Sequence, residues 1–171
     1  MLIRSSTKNT LASGRTDKMY CVLQKQLILS KKDEKTNVSV EFILENDASF
    51  LKITYDYSPK VLDDEESSKQ QIIACLKRDS VVESADEWRK YLPIVNLVTL
   101  SLDDPFTYRG CAHRHAPSQE HIISENFASP GFIKGKISKG KWLLQLNVHA
   151  VVSKQCVCNI KIEAGGEEDV Y

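Results

Sequence analysis

The stretches Val38-Ser39-Val40-Glu41-Phe42-Ile43-Leu44 and Leu51-Lys52-Ile53-Thr54-Tyr55-Asp56-Tyr57 decide the fold. In the first, Val38, Val40, Phe42 and Leu44 alternate with Ser39, Glu41 and Ile43; in the second, apolar and polar residues alternate throughout. A period of two marks a strand with one face in a core and the other in water. Between them, Glu45-Asn46-Asp47-Ala48-Ser49 is rich in short polar side chains that bond their own backbone in turns.

The same pattern recurs along the chain. Cys21 to Ser30 is strand-like, though less regular. Val98, Leu100 and Leu102 alternate with Thr99 and Ser101 until Asp103-Asp104-Pro105 ends the run. After a turn at Ser138-Lys139-Gly140, Trp142, Leu144, Leu146 and Val148 alternate with polar neighbours, and a last strand runs from about Gln155 to Glu163. Short alternating runs with turn signals between them predict an all-β fold, a two-sheet antiparallel sandwich of jelly-roll type.

Residues 60–94 break the alternation. Asp63-Asp64-Glu65-Glu66 charges the start of a helix that would bury Ile72, Ile73 and Leu76. Ser84 and Glu87 have the spacing of a capping box leading into Trp88-Arg89-Lys90-Tyr91-Leu92, stopped by Pro93. A short helical insertion near 62–92 is therefore expected, with a long charged loop as the alternative. Residues 1–18 carry no period and read as a flexible tail. Residues 19–164 form the sandwich, and 165–171 a C-terminal tail or linker.

Lys plus Arg (23) cancels Asp plus Glu (23) in the 171-residue chain. There is no basic excess to hold nucleic acid or an anionic membrane, and no apolar run of membrane-spanning length. Five cysteines cannot all pair within one chain. Cys156 and Cys158 share a strand face with Ile160 and Ile162, so they are read as core residues, as are Cys21 and Cys75. Thiols without a disulfide framework suit a reducing, cytoplasmic setting.

The order of several blocks resembles a known family. Ile53-Thr54-Tyr55-Asp56-Tyr57-Ser58-Pro59, Asn96 to Pro105, Tyr108-Arg109-Gly110, Ala128 to Gly135 and Gly140 to Leu146 follow one another as in a β-sandwich domain. That domain precedes the catalytic domain in some bacterial metal-dependent phosphoesterases of the polymerase-and-histidinol-phosphatase type. The resemblance covers roughly residues 38–163. The 60–94 insertion is longer than the family pattern, and the chain stops where the metal-binding domain would begin. The resemblance therefore implies an accessory sandwich without its enzyme.

The site candidates cluster in the connection from Arg109 to Phe132. Arg109 lies beside Gly110, where its guanidinium fork suits a ligand carboxylate or, structurally, the Asp103-Asp104 turn. His113 and His115 form a His-x-His pair that projects to one side if extended. Arg109, His113 and His115 are thus the candidate ligand-binding residues. The bland reading is a solvated polar connection. No catalytic residue, resident metal or cofactor is assigned: no nucleophile elbow or phosphate loop appears, and the carboxylates at 63–66 and 103–104 are adjacent in sequence, so that on a strand neighbours would point to opposite faces.

These features predict a non-catalytic interaction or ligand-binding module, with a protein partner or a carbohydrate as its ligand. A carbohydrate site wants exposed aromatics, whereas most aromatic residues here occupy apolar-face positions. The alternative is a small metal-dependent hydrolase built on the 113–121 loop, with zinc held by His113, His115 and His121.

Overall fold

In the computed structural model, which describes residues 18–80 and 87–166, the alternating runs become eight strands in two four-stranded antiparallel sheets. They are β1 (Lys18–Leu29), β2 (Thr36–Leu44), β3 (Phe50–Ser58), β4 (Leu97–Asp103), β5 (Tyr108–Ala112), β6 (Ser118–Ser124), β7 (Gly140–Ala150) and β8 (Cys156–Gly166). One sheet has the order β1-β8-β3-β6, the other β2-β7-β4-β5. The pairing is nested about the β4–β5 hairpin: β4 pairs with β5, β3 with β6, β2 with β7 and β1 with β8. Every other connection crosses from one sheet to the other.

Inward residues of both sheets form one core, including Val40, Phe42, Leu51, Ile53, Leu100, Leu102, Leu144, Leu146 and Ile162. Trp142 is fully buried in it and stacks on Phe42 at 6.0 Å. Its indole N–H donates to the carbonyl of Ser138 at 2.9 Å, so the ring's polar atom is satisfied. Cys156 and Cys158 face inward and are buried. Two phenols cross between the sheets: Tyr55 donates to the Val98 carbonyl and Tyr57 to that of Asn96, each at 3.3 Å. Burial pushes the Tyr57 hydroxyl up to about 12 and that of Tyr55 higher still.

The insertion contains α1 (Glu65–Arg78) followed by a 3-10 turn at Glu87–Tyr91. Asp64 caps α1 by accepting the Ser67 N–H at 2.6 Å, Glu65 and Glu66 fill its first turn, and Lys77 and Arg78 its last. Of the three apolar residues expected to be buried, Ile72 is; Ile73 and Leu76 remain half-buried. Trp88 is 3% exposed and packs with Arg89 and Lys69 over its ring. Ser84 of the expected capping box and the tail up to residue 17 lie outside the described residues.

Three expectations need correction. The stretch from Arg109 to Phe132 is not one long connection, because it contains β5 and β6. Their alternation was masked by inward polar residues: Gln119 and His121 occupy the core face of β6 and are buried. Cys21 and Cys75 are exposed, Cys21 at an irregularity in the β1–β8 register and Cys75 on α1. β8 continues through Gly166, and Gly165 is buried, so the strand extends past the predicted domain edge at 164. Most described aromatic rings are buried or half-buried, as expected, while Tyr20, Tyr91, Phe106, Tyr108 and Phe127 are exposed. They sit on separate elements.

Candidate functional site

At the end of the sandwich that carries α1, the connections are laced together by Asn96, the residue just ahead of β4. Its amide nitrogen donates to the Pro59 carbonyl and the Ser153 hydroxyl, each at 2.7 Å. Its amide oxygen accepts the N–H groups of Val152 (2.7 Å) and Ser153 (3.2 Å). The side chain is fully buried with its hydrogen-bonding capacity used on both atoms. Lys60 adds a bond to the Asn96 carbonyl at 2.9 Å and one to Tyr57. The β3–α1, β4 and β7–β8 segments are thus held in a fixed relation.

α1 leans on this frame through few contacts: Ser68 and Ile72 are buried, and Gln71 donates to the Val152 carbonyl at 2.9 Å. The gap beside it is a hollow of about 570 Å³ that shares walls with a second of about 810 Å³. Lys31, Glu34, Gln71, Cys75, Arg78 and Val152 line both. Ile72, Leu76 and Ile94 give the first an apolar wall, and Lys35, Tyr91 and His149 complete its rim. Lys154 and the capping Asp64 lie along the second. The lining mixes apolar side chains with about as many polar and charged ones, in a space of the size that ligand sites occupy.

The charges in the cleft are partly neutralised. Lys31 meets Glu34 at 2.9 Å and Arg78 meets Asp79 at 2.8 Å. Burial pushes the Glu34 carboxyl up, but bonds from Lys31 and the Val151 N–H outweigh it and hold the group below the ordinary range. It is therefore an anion at neutral pH.

The residues selected from sequence are scattered by the fold. Arg109 lies at the opposite end and is 3% exposed. It donates to the carbonyls of Ile133 (3.0 Å), Gly135 (3.1 Å) and Lys136 (3.1 Å) and to the Asp104 carboxylate at 3.0 Å. Its guanidinium also sits 5.6 Å from the Trp142 ring centroid. This is the structural use of the fork: it ties the β6–β7 connection to the β4–β5 turn, with no side facing a ligand.

His113 and His115 lie in the non-strand connection after β5 and are exposed. His113 approaches His149, with ring centroids 6.3 Å apart, and His149 Nε2 is 2.9 Å from the Thr99 hydroxyl. His113 thus borders the cleft that His149 lines. His121, the third member of the imagined zinc site, is fully buried under Phe132. Among the described residues no group of three or more His, Cys, Asp or Glu side chains could hold a metal ion. The loop leaves His113 and His115 outside, whereas β6 carries His121 into the interior.

The cleft residues were not identified from sequence. A signal existed in α1, whose Ile72, Ile73 and Leu76 offer more apolar surface than a helix held by one buried isoleucine uses. Asn96 and the β7–β8 residues gave none, since their meeting is purely tertiary. No helix among the described residues is long and apolar enough to cross a membrane. Neither a protein-family model, nor a curated protein, nor a solved structure matches the chain, so the reading of the cleft rests on its own geometry.

Proposed function

We propose that the chain is a non-catalytic binding module whose ligand site is the cleft beside α1, and that its ligand is a short segment of a protein partner. The nested strand pairing agrees with a jelly roll, a scaffold that presents binding surfaces on its loops. An accessory role beside a metal-dependent phosphoesterase of the polymerase-and-histidinol-phosphatase type is the setting that the sequence resemblance suggests. The observation that carries the proposal is the apolar wall of Ile72, Leu76 and Ile94 beside a lining in which Lys31, Lys35, Arg78 and His149 outnumber Glu34 and Asp79. Such a surface favours a peptide with apolar anchors and an acidic residue over a carbohydrate, because Tyr91 is the aromatic ring that lines it.

The test is selection of displayed random peptides on the intact chain, followed by affinity measurement on the enriched peptides. Leu76→Asp should weaken binding about tenfold or more, the loss of one buried apolar anchor. Alkylation of Cys75 with a bulky maleimide, in a background with Cys21 and the half-exposed Cys111 changed to serine, should block binding while the melting temperature holds. No enrichment, or enriched peptides indifferent to both changes, would refute the proposal.

A further inference from the structure

Each sheet has two edges, and a strand edge offers unpaired N–H and C=O groups to any chain that can lie beside it. Two of the four edges are covered. The segment after β6 bonds to β5 through the Gly131 carbonyl (from Cys111 N–H, 2.9 Å) and the Ile133 N–H (to Arg109, 2.8 Å). It also bonds to β6 through Ser129, which exchanges 2.8 and 2.9 Å bonds with Ile122. The third edge, β1, is guarded in another way: its register is broken between Cys21 and Leu23, and Lys25 takes the place opposite the core residue Ile160.

Among the described residues, β2 has none of these protections. Its register with β7 runs unbroken from Thr36 opposite Val148 to Leu44 opposite Gly140. It contains no proline, glycine or lysine, and its single charge, Glu41, is met by Lys141 at 2.6 Å. No backbone bond from another described segment closes its free side. Ile43, on its outer face, is 60% exposed.

We propose that β2 pairs antiparallel with β2 of a second copy, joining two four-stranded sheets into one. The sequence of β2 is complementary to itself about Val40. A two-fold axis there sets Val40 against Val40, Val38 against Phe42 and Thr36 against Leu44 on the core side. On the outer side Ser39 meets Glu41 of the second copy, and Asn37 meets Ile43. No like charges stand directly opposite, and β-branched and aromatic residues are paired across the new ladder. A closed two-fold interface of this kind uses one patch twice and ends the assembly at two chains.

The pairing register makes the test specific. Sedimentation equilibrium of the full chain should show a monomer–dimer equilibrium below about 100 µM. Ser39→Glu places a second carboxylate opposite Glu41 at two symmetric points and should raise the dimer dissociation constant about tenfold. Ser39→Lys places an ammonium there instead and should lower it. Ser39 is exposed, so neither change should move the melting temperature of the dilute monomer. A chain that stays monomeric at about 100 µM overturns the proposal, as does a dimer that responds alike, or not at all, to the two substitutions.

Discussion

The two ends of the sandwich are each organised around one buried polar side chain, and they differ in what that side chain leaves over. At one end Arg109 gathers the β4–β5 turn and the β6–β7 connection onto its fork, and the loops close against each other. At the other, Asn96 ties three segments together, but α1 stands off from them and a cleft stays open. A buried, fully bonded polar group is thus a mark of architecture. The open cleft lies where a well-held frame supports an element with spare apolar surface.

Removing the two pins tests this contrast most severely. Arg109→Ala leaves the Asp104 carboxylate with a lost partner and three carbonyls without donors, and should cost about 3–5 kcal/mol in urea denaturation. Asn96→Ala strands the Val152 and Ser153 N–H groups and should cost about 2–4 kcal/mol. Peptide binding at the cleft should fall with Asn96→Ala but survive Arg109→Ala wherever the protein remains folded. If Arg109→Ala proved nearly neutral in stability and abolished binding, the assignment of the two ends would be reversed.

The Arg109 pin also has a definite pH range. Burial alone would raise the Asp104 carboxyl, but the Phe106 and Thr107 N–H groups and Arg109 hold it below its ordinary value of 3.8. Its folded value lies below its unfolded one, so the contribution is complete above about pH 4 and is lost only as pH falls further.

A second acid effect arises in the core between the ends. Gln119 donates its amide N–H groups to Arg114 and Ala116, which turns its oxygen, at 3.1 Å, toward His121 Nε2. That nitrogen therefore carries the proton, and Nδ1 is left buried with no partner among the described residues. Burial, with Arg114 nearby, lowers the His121 value from 6.5 to about 4. The unfolded chain then binds the extra proton first. Stability is complete above about pH 6.5 and declines toward pH 4 by on the order of 3 kcal/mol. His121→Leu should flatten that decline in denaturation curves taken at several pH values. A slope unchanged in the variant would place the titrating group elsewhere.

The smallest effect belongs to the exposed pair. His113→Ala and His115→Ala should each change stability by less than about 0.5 kcal/mol, as for other exposed positions without buried partners. His113→Ala should alter peptide affinity more than His115→Ala, because only His113 approaches His149 at the cleft rim. Equal effects would detach His113 from the site.

The readable parts of the fold were those in which neighbours in sequence share one environment. In β2, β3, β4 and β7 the buried inward places are held by valine, leucine, isoleucine, phenylalanine, tyrosine or tryptophan, and their period is visible at once. β6 was missed because Gln119 and His121 stand inward, and β5 because it is short and interrupted by Gly110. Gly110 has φ +111°, and a Cβ there would lie 2.3 Å from the Gly131 carbonyl oxygen, so the close approach of the covering segment requires glycine. Of the site candidates, the structural use of Arg109 was foreseeable from Asp104 five residues away. The cleft was not.

The sequence by itself determined the all-β class, the face of most strands and the start of α1, because alternation and capping act over a few residues and need no knowledge of the rest of the chain. Tertiary structure alone decided the nested pairing, the burial of His121 and Arg109, the exposure of Cys21 and Cys75, and the meeting of α1 with Lys35 and His149. Each of these depends on which segments far apart in the chain come together. A polar side chain carries the same letter whether the fold gives it solvent, a carbonyl or nothing at all.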